Sequence, residues 1–225
     1  HSPDTLHFIY MHAWPNAYKN DRSRFCEQEV ENGNTTFYYS REEDRGFMDS
    51  LQFQYGNQVL AMHLVEDQDD MLEVELPKAL LPGEAIDIST PFRVQVPKTF
   101  SRLGYEGHSY QITQWYPKPA VYDHQGWHPM PYLDQGEFYS EYGSYHVRIT
   151  LPASYVVAAT GDLQEESEKN FLLHRQYTTD TTKALAAEKI SVDSFKTITF
   201  VQDHVHDFAW FADPDYKVEE QVLTL

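Results

Sequence analysis

The sequence has one cysteine, Cys26, among 225 residues. No internal disulfide can form and no cysteine-based zinc site can be built. Lysine and arginine are also scarce, 17 against 35 Asp and Glu, for a formal net charge of −18. Such a chain has little with which to neutralise phosphates, which excludes a general nucleic-acid binder. The same charge disfavours docking on anionic membranes. No apolar run approaches the roughly 18 residues that span a bilayer. A glycine-rich nucleotide loop, a His-Glu-x-x-His zinc site and long internal repeats are all missing. So is a nucleophile elbow, since Gly143-Ser-Tyr-His146 lacks the second glycine of Gly-x-Ser-x-Gly. The chain opens on His1 rather than Met, which reads as a processed or cut start. A single cysteine fits cytosol and periplasm alike, and a periplasmic or extracellular location is the expectation.

What is present is a hydrophobic fraction of 41% with 15% aromatics, enough to build a core. The dominant period is two. Leu51, Phe53 and Tyr55 alternate with polar residues, as do Leu72, Val74 and Leu76. Ile86 and Ile88, then Phe92, Val94 and Val96, repeat the pattern. Val147, Ile149 and Leu151, Ile198 and Phe200, and Phe208, Trp210 and Ala212 follow it further along. Strict alternation puts one face on a core and one in water. Turn signals at Gly56-Asn57, Pro82-Gly83 and Gly161-Asp162 separate the runs. The expectation is one all-β domain over residues 1–225, an antiparallel β-sandwich.

Helix is expected only over Asn20–Val30, capped by Asn20 or Asp21, and over Thr181–Lys189. The charged segment Glu165–Asn170 reads as a hairpin tip. From Gly104 to Gly143 alternation gives way to a stretch dense in Tyr, Trp and Pro, read as a long ordered aromatic loop.

Several side-chain groups invite a chemical reading. His204 and His206 stand at i and i+2, so both rings would share one strand face. They read better as half-exposed residues flanked by acids than as metal ligands. His124 and His128 near Asp123 read likewise as packing. Asp134, Glu137 and Glu141 resemble a glycosidase carboxylate set only in their closeness along the chain. On so acidic a chain they read as a solvated face. Trp115, Trp127, Tyr116, Tyr122 and Tyr132 would suit sugar platforms, or a small core within the loop. Glu27 and Glu29 around Cys26 would raise its thiol pKa, against a nucleophilic role.

Longer motifs say more. Thr113-Gln114, Trp115-Tyr-Pro-Lys-Pro-Ala-Val-Tyr-Asp123, Gly126-Trp-His-Pro129 and Tyr132-Leu-Asp-Gln-Gly-Glu-Phe-Tyr139 closely resemble the N-terminal domain of M1-family zinc aminopeptidases. The form is that of a branch frequent in Bacteroidetes-type bacteria. His12-Ala-Trp-Pro-Asn-Ala-Tyr18, Pro97–Arg102, Tyr145–Asp162 and Val205–Asp213 extend the resemblance along the chain.

The resemblance implies a twisted, saddle-like β-sandwich that walls one side of a zinc peptidase cleft. The zinc would belong to the parent enzyme's catalytic domain, and no cofactor is expected in this chain. The chain alone is expected to be inactive. Its partners would be that catalytic domain and the N-terminus of a peptide substrate, with no nucleic acid and no membrane span. Gln114 matches the family's polar residue that holds the substrate's free α-amino group. The Phe-Pro-Cys-Phe-Asp run of other branches is replaced by Ala120-Val-Tyr-Asp123, so Tyr116 and Tyr122 are further candidates to face the cleft. The family carries strands before the position of Thr5, so strand Leu6–His12 is expected to present an exposed edge or to be completed by other residues. An interface patch is expected near the Gly104–Gly143 loop. The alternative is a free-standing secreted β-sandwich that binds a glycan or a protein.

Overall fold

The computed structural model describes residues 3–136, 138–176 and 194–219. The chain divides into two compact units, residues 1–106 with 112–141, and residues 107–111 with 142–225. The strands of the first are β1 (Leu6–His12), β2 (Phe47–Asp49), β3 (Gln54–Tyr55), β4 (Gln58–Val59), β5 (Met62–Val65), β6 (Gln68–Leu80), β7 (Arg93–Gln95) and β8 (Gly104–Glu106). β9 (Ser109–Ile112) ends in this unit, and β10 (Lys118–Pro119), β11 (Val121–Asp123) and β12 (Gly126–His128) complete it. The all-β class expected from the period-two pattern is present, with antiparallel pairing in every sheet of the first unit.

The principal sheet of this unit has the order β10-β1-β6-β5. Its register sets Ile9 opposite Val74 and Met11 opposite Leu72. Directly opposed residues share a face, so these four form one apolar side. That side packs with Ala13, Met48, Phe53 and Leu60, and with the half-buried Leu51, Ile88, Phe92 and Val94. The alternation of β6 from Leu72 onward follows from this buried face, while at Met71 the other face is buried as well. The expected exposed edge of β1 is corrected in part, because β10 pairs along Met11 and His12 while β6 takes the other side.

Other strands are shorter than their patterns imply. The Leu51–Tyr55 run contains only the two residues of β3, closed onto β4 by a turn with Gly56 at φ 57°. Ile86 and Ile88 are half-buried as alternation demands, yet their segment makes only an isolated bridge, Ser89 to Gln54. Alternation reports a buried face, and a ladder needs a partner as well. The Gly104–Gly143 stretch is corrected in the opposite sense. It contains β8 to β12 rather than one irregular loop.

Helix α1 (Arg24–Glu31) begins later than expected. Its cap is Ser23, whose Oγ accepts from the Cys26 N–H at 3.2 Å. Asn20 instead accepts from the Arg22 N–H at 2.8 Å, a turn before the helix rather than its cap. The helix buries Phe25 among Tyr18, Phe37 and Tyr132, with ring centroids 5.0, 5.1 and 5.6 Å away.

The second unit holds β13 (Gly143–Pro152), β14 (Val156–Ala159), β15 (Asp162–Leu163), β16 (Phe195–Val205) and β17 (Trp210–Asp213). β13, β16 and β15 form one sheet, and β14, β17 and β9 lie in another. Ile149 opposes Ile198 and Val147 opposes Phe200, as their alternation requires. The expected hairpin tip at Glu165–Asn170 is corrected to the start of a helix, α2 (Glu166–Gln176). Its charges are not all solvated. Glu168 is buried and accepts from Lys196 Nζ at 2.5 Å, and Glu165 accepts from the Thr199 N–H at 2.7 Å. The expected helix Thr181–Lys189 lies outside the described residues.

Candidate functional site

The candidate residues sit where β9 hands over to β10. Ile112 is buried at the end of β9, and Gln114 then adopts a left-handed backbone with φ 46°. For a residue with a Cβ this conformation costs about 1 kcal/mol. It is held because both flanks are fixed. On the far side Lys118 and Pro119 pair with His12 and Met11, and the Ala120 N–H donates to Tyr10 O at 2.8 Å. The kink leaves Gln114 half-buried. Next to it Trp115 packs on Phe92 at 5.9 Å and on Tyr116 at 5.3 Å. Gln114 and Tyr116 are thus the chain neighbours of one anchored indole.

Tyr122 has a different setting. It lies in the β11–β12 hairpin, opposite Trp127, with its ring 5.0 Å from that indole. Its hydroxyl donates to Asp4 at 3.0 Å. Trp127 also meets Phe8 at 6.0 Å and Tyr10 at 5.7 Å. A ring with neighbours on this many sides is core for the hairpin rather than an open platform, and Tyr132 is fully buried. At the hairpin end, Asp123 binds His128 Nε2 at 2.8 Å and accepts from the Gln125 N–H. The His128 hydrogen bond, followed by the Gln125 N–H, lowers the Asp123 pKa. His124 is exposed at the tip.

Beneath the aromatic segment lies a set of buried polar groups that periodicity does not reveal. Met130 to Tyr132 runs alongside β1 and β6 without joining a sheet, and side chains supply its hydrogen bonds. The Met130 N–H donates to His12 Nε2 at 3.1 Å, and Met130 O accepts from Trp14 Nε1 at 3.1 Å. The Tyr132 N–H donates to Asp70 Oδ2 at 2.6 Å. His12 and Asp70 are both buried, and His12 stacks on Trp14 at 4.4 Å. Burial, and then the Lys118 charge, lower the His12 pKa to about 4. The ring is therefore neutral near pH 7, with Nε2 accepting and the proton on Nδ1. Burial raises the Asp70 pKa to about 6, against the lowering effect of the Tyr132 N–H. His12 belongs to a motif quoted above, and that was its only signal. Asp70 showed none, standing as it does among Glu66, Asp67 and Asp69.

Two further acids converge beside this segment. Glu29 of α1 is buried, and its pKa is raised first by burial and then by Asp134. Asp134 accepts from Ser101 Oγ at 2.6 Å, and Ser101 Oγ lies 3.1 Å from the Tyr132 hydroxyl. The expectation of a solvated face is thus corrected for Asp134, which is half-buried; Glu141 is exposed and Glu137 lies outside the described residues. Burial, and then Asp21, raise the Cys26 pKa, so burial leads over the neighbouring acids.

The paired-histidine idea ends at a backbone feature. His204 takes φ 57°, which breaks the strand alternation just before His206. Among the described residues no three His, Cys, Asp or Glu side chains gather to hold a metal ion. Among the described residues no helix is long and apolar enough to cross a membrane.

No family model and no curated protein matches the chain. Among solved structures, an M1 zinc metallopeptidase from Deinococcus radiodurans aligns with a TM-score of 0.43 at 15% identity, over 93% of this chain and 35% of its own. A mutant of that enzyme bound to a Tyr-Ser-Ala substrate aligns at 0.41 with the same identity and coverage. A two-domain M1 zinc metallopeptidase mutant bound to L-arginine aligns at 0.34, with 18% identity over 74% of this chain and 32% of its own. The chain thus spans 35% of the length of the first of these.

Proposed function

We propose that this chain is the non-catalytic N-terminal β-domain of an M1-type zinc aminopeptidase, of the branch frequent in Bacteroidetes-type bacteria. One observation carries the reading. The Thr113-Gln114 step of the resemblance falls on a left-handed kink, and the motif Trp115–Asp123 begins at once after it. Backbone strain of this kind persists where surrounding structure over-determines it, and it concentrates at functional positions.

The chain's part is binding and scaffolding. The Gln114 amide oxygen accepts from the α-ammonium of a peptide N-terminus. A neutral acceptor does this without the desolvation cost of burying a second charge. Tyr116, across the Trp115 indole, lines the adjoining side-chain pocket, and Tyr122 steadies the hairpin that follows. Hydrolysis belongs to zinc and residues of the partner catalytic domain, and the −18 charge favours the approach of cationic peptide ends.

The test uses the natural polypeptide that carries this domain. Gln114→Ala should lower kcat/KM for substrates with a free amino terminus by about tenfold or more, the scale of one lost hydrogen bond to a charged group. The much lower rates on N-acetylated substrates should hardly change. Equal kcat/KM for Gln114→Ala and the parent on free-amino substrates removes Gln114 from the site. Absence of any peptidase activity in the natural polypeptide refutes the reading itself.

A further inference from the structure

We infer that the open edge of β5 is a docking site for an extended segment in which apolar and basic residues alternate. Among the described residues β5 is the last strand of its sheet. Its backbone polarity follows from one bond. The Glu75 N–H donates to Ala61 O at 3.0 Å, which makes Ala61 and Glu75 a hydrogen-bonded pair. Such pairs alternate along an antiparallel ladder. His63 and Glu73, directly opposed, are the next one. Met62 and Leu64 therefore turn their N–H and C=O groups away from β6, toward the open side.

The side chains of the same two residues are misplaced for an ordinary edge. Met62 opposes Val74 and Leu64 opposes Leu72, so both lie on the apolar face of the sheet. Val74 and Leu72 are buried there, whereas Met62 is 39% and Leu64 60% exposed. Val59, just before β5, is 55% exposed. The layer covering the apolar face stops short of β5. Natural edges are usually kept short or blunted by a bulge, lysine, proline or inward charge; β5, Met-His-Leu-Val, is short and its register shifts between Leu64 and Val65, but it carries no lysine, proline or inward charge.

The opposite face fixes the chemistry of the occupant. From Met62 to Leu76 there is no Lys or Arg, while Glu66, Asp67, Asp69, Asp70, Glu73 and Glu75 are all acidic. Asp70 is buried, Asp69 accepts from Asn20 and Glu73 accepts from the Tyr10 hydroxyl, so the outward charge is that of Glu75 on this face and of Glu66 and Asp67 in the turn between β5 and β6. His63 on this face contacts the Glu75 carboxylate through Nε2, 3.1 Å away. An added strand places alternate side chains on the two faces. Those beside Met62 and Leu64 must be apolar, and those beside His63 and the carboxylates must be basic. A second copy of this chain fits badly, because each acidic hairpin would meet its own like charge.

The probe is a synthetic heptapeptide alternating Lys with Val and Leu, added to the whole chain at low salt. A peptide with Glu in place of Lys is the control. Hydrogen exchange read at single amides should slow at Met62 and Leu64, with His63 already protected in the free protein. The Glu peptide should bind at least about tenfold more weakly, and raising salt toward 0.2 M should shrink the difference. Leu64→Pro removes only an outward N–H, which an edge strand tolerates, and should abolish binding. Leu64→Lys, which keeps every backbone bond, should weaken it by about tenfold and guards against a folding defect in the proline variant. Binding that leaves the Met62 and Leu64 amides unchanged overturns the proposal. So does equal binding of both peptides. Concentration-dependent protection of the two amides without peptide would make a second copy the occupant, and overturns it as well.

Discussion

His12 and Asp70 grip successive N–H groups of the same extended segment, and they titrate in opposite senses. Asp70 has a carboxyl pKa of about 6 in the fold against 3.8 as a free side chain. The folded state therefore holds this proton more tightly than the unfolded chain. The associated stability is full below pH 3.8 and lost as pH rises through 6, and the gap is equivalent to about 3 kcal/mol. His12 has a pKa of about 4 in the fold against 6.5 free. Its contribution is full above pH 6.5 and lost as pH falls through 4, again about 3 kcal/mol. Across pH 4 to 6 the two slopes cancel, so the wild-type profile conceals both. Single variants unmask them. Asp70→Asn keeps an oxygen for the Tyr132 N–H, and His12→Gln keeps an acceptor for the Met130 N–H. Urea unfolding of the full chain at several pH values between 4 and 7 gives the differences. The advantage of Asp70→Asn over wild type should grow by about 3 kcal/mol from pH 4 to pH 6.5. That of His12→Gln should shrink by a similar amount over the same range. Taking differences removes the surface carboxylates, which titrate alike in each protein. A constant difference between wild type and Asp70→Asn across this range would refute a raised carboxyl and the burial argument behind it.

Two further predictions concern the second unit. Lys196 and Glu168 have side chains 15% and 7% exposed, and Lys196 Nζ also lies over the Phe171 ring at 4.3 Å. Lys196→Met strands a buried carboxylate and should cost about 3 kcal/mol in chemical unfolding, while adding Glu168→Leu should recover most of it. No recovery in the double variant would show that packing, not charge, holds α2. Gly161 sits at φ 92°, where a Cβ would come within 2.6 Å of Val201 O. Gly161→Ala should lower stability by about 2 kcal/mol or more in thermal unfolding, and an unchanged midpoint would disprove this close approach.

What was legible in the sequence was whatever one residue's neighbours along the chain determine. Alternation located the buried faces of β6, β13 and β16, because each packs one side against apolar partners. It overstated the strand at Ile86–Ile88, where the apolar face is half-buried but ladder pairing is confined to Ser89. It missed α2, whose apolar residues Phe171, Leu172 and Leu173 are consecutive and whose start is held from β16, by Thr199 on the preceding Glu165 and by Lys196 on Glu168. The site divides along the same line. Gln114 and the aromatic run were visible as a motif, yet the left-handed turn that sets Gln114 between β9 and β10 has no glycine or Asn to announce it. The clamp on Met130–Tyr132 is harder still. Asp70 stands within an acidic run, and it is buried only because a chain segment 62 residues away presents it with an unpaired N–H. A buried carboxylate is tolerable when such a donor meets it and ruinous otherwise. Its legibility therefore depends on a contact that no local pattern encodes. The cost of that burial, a carboxyl held near pH 6 against the pull of the Tyr132 N–H, is the property by which experiment can find it.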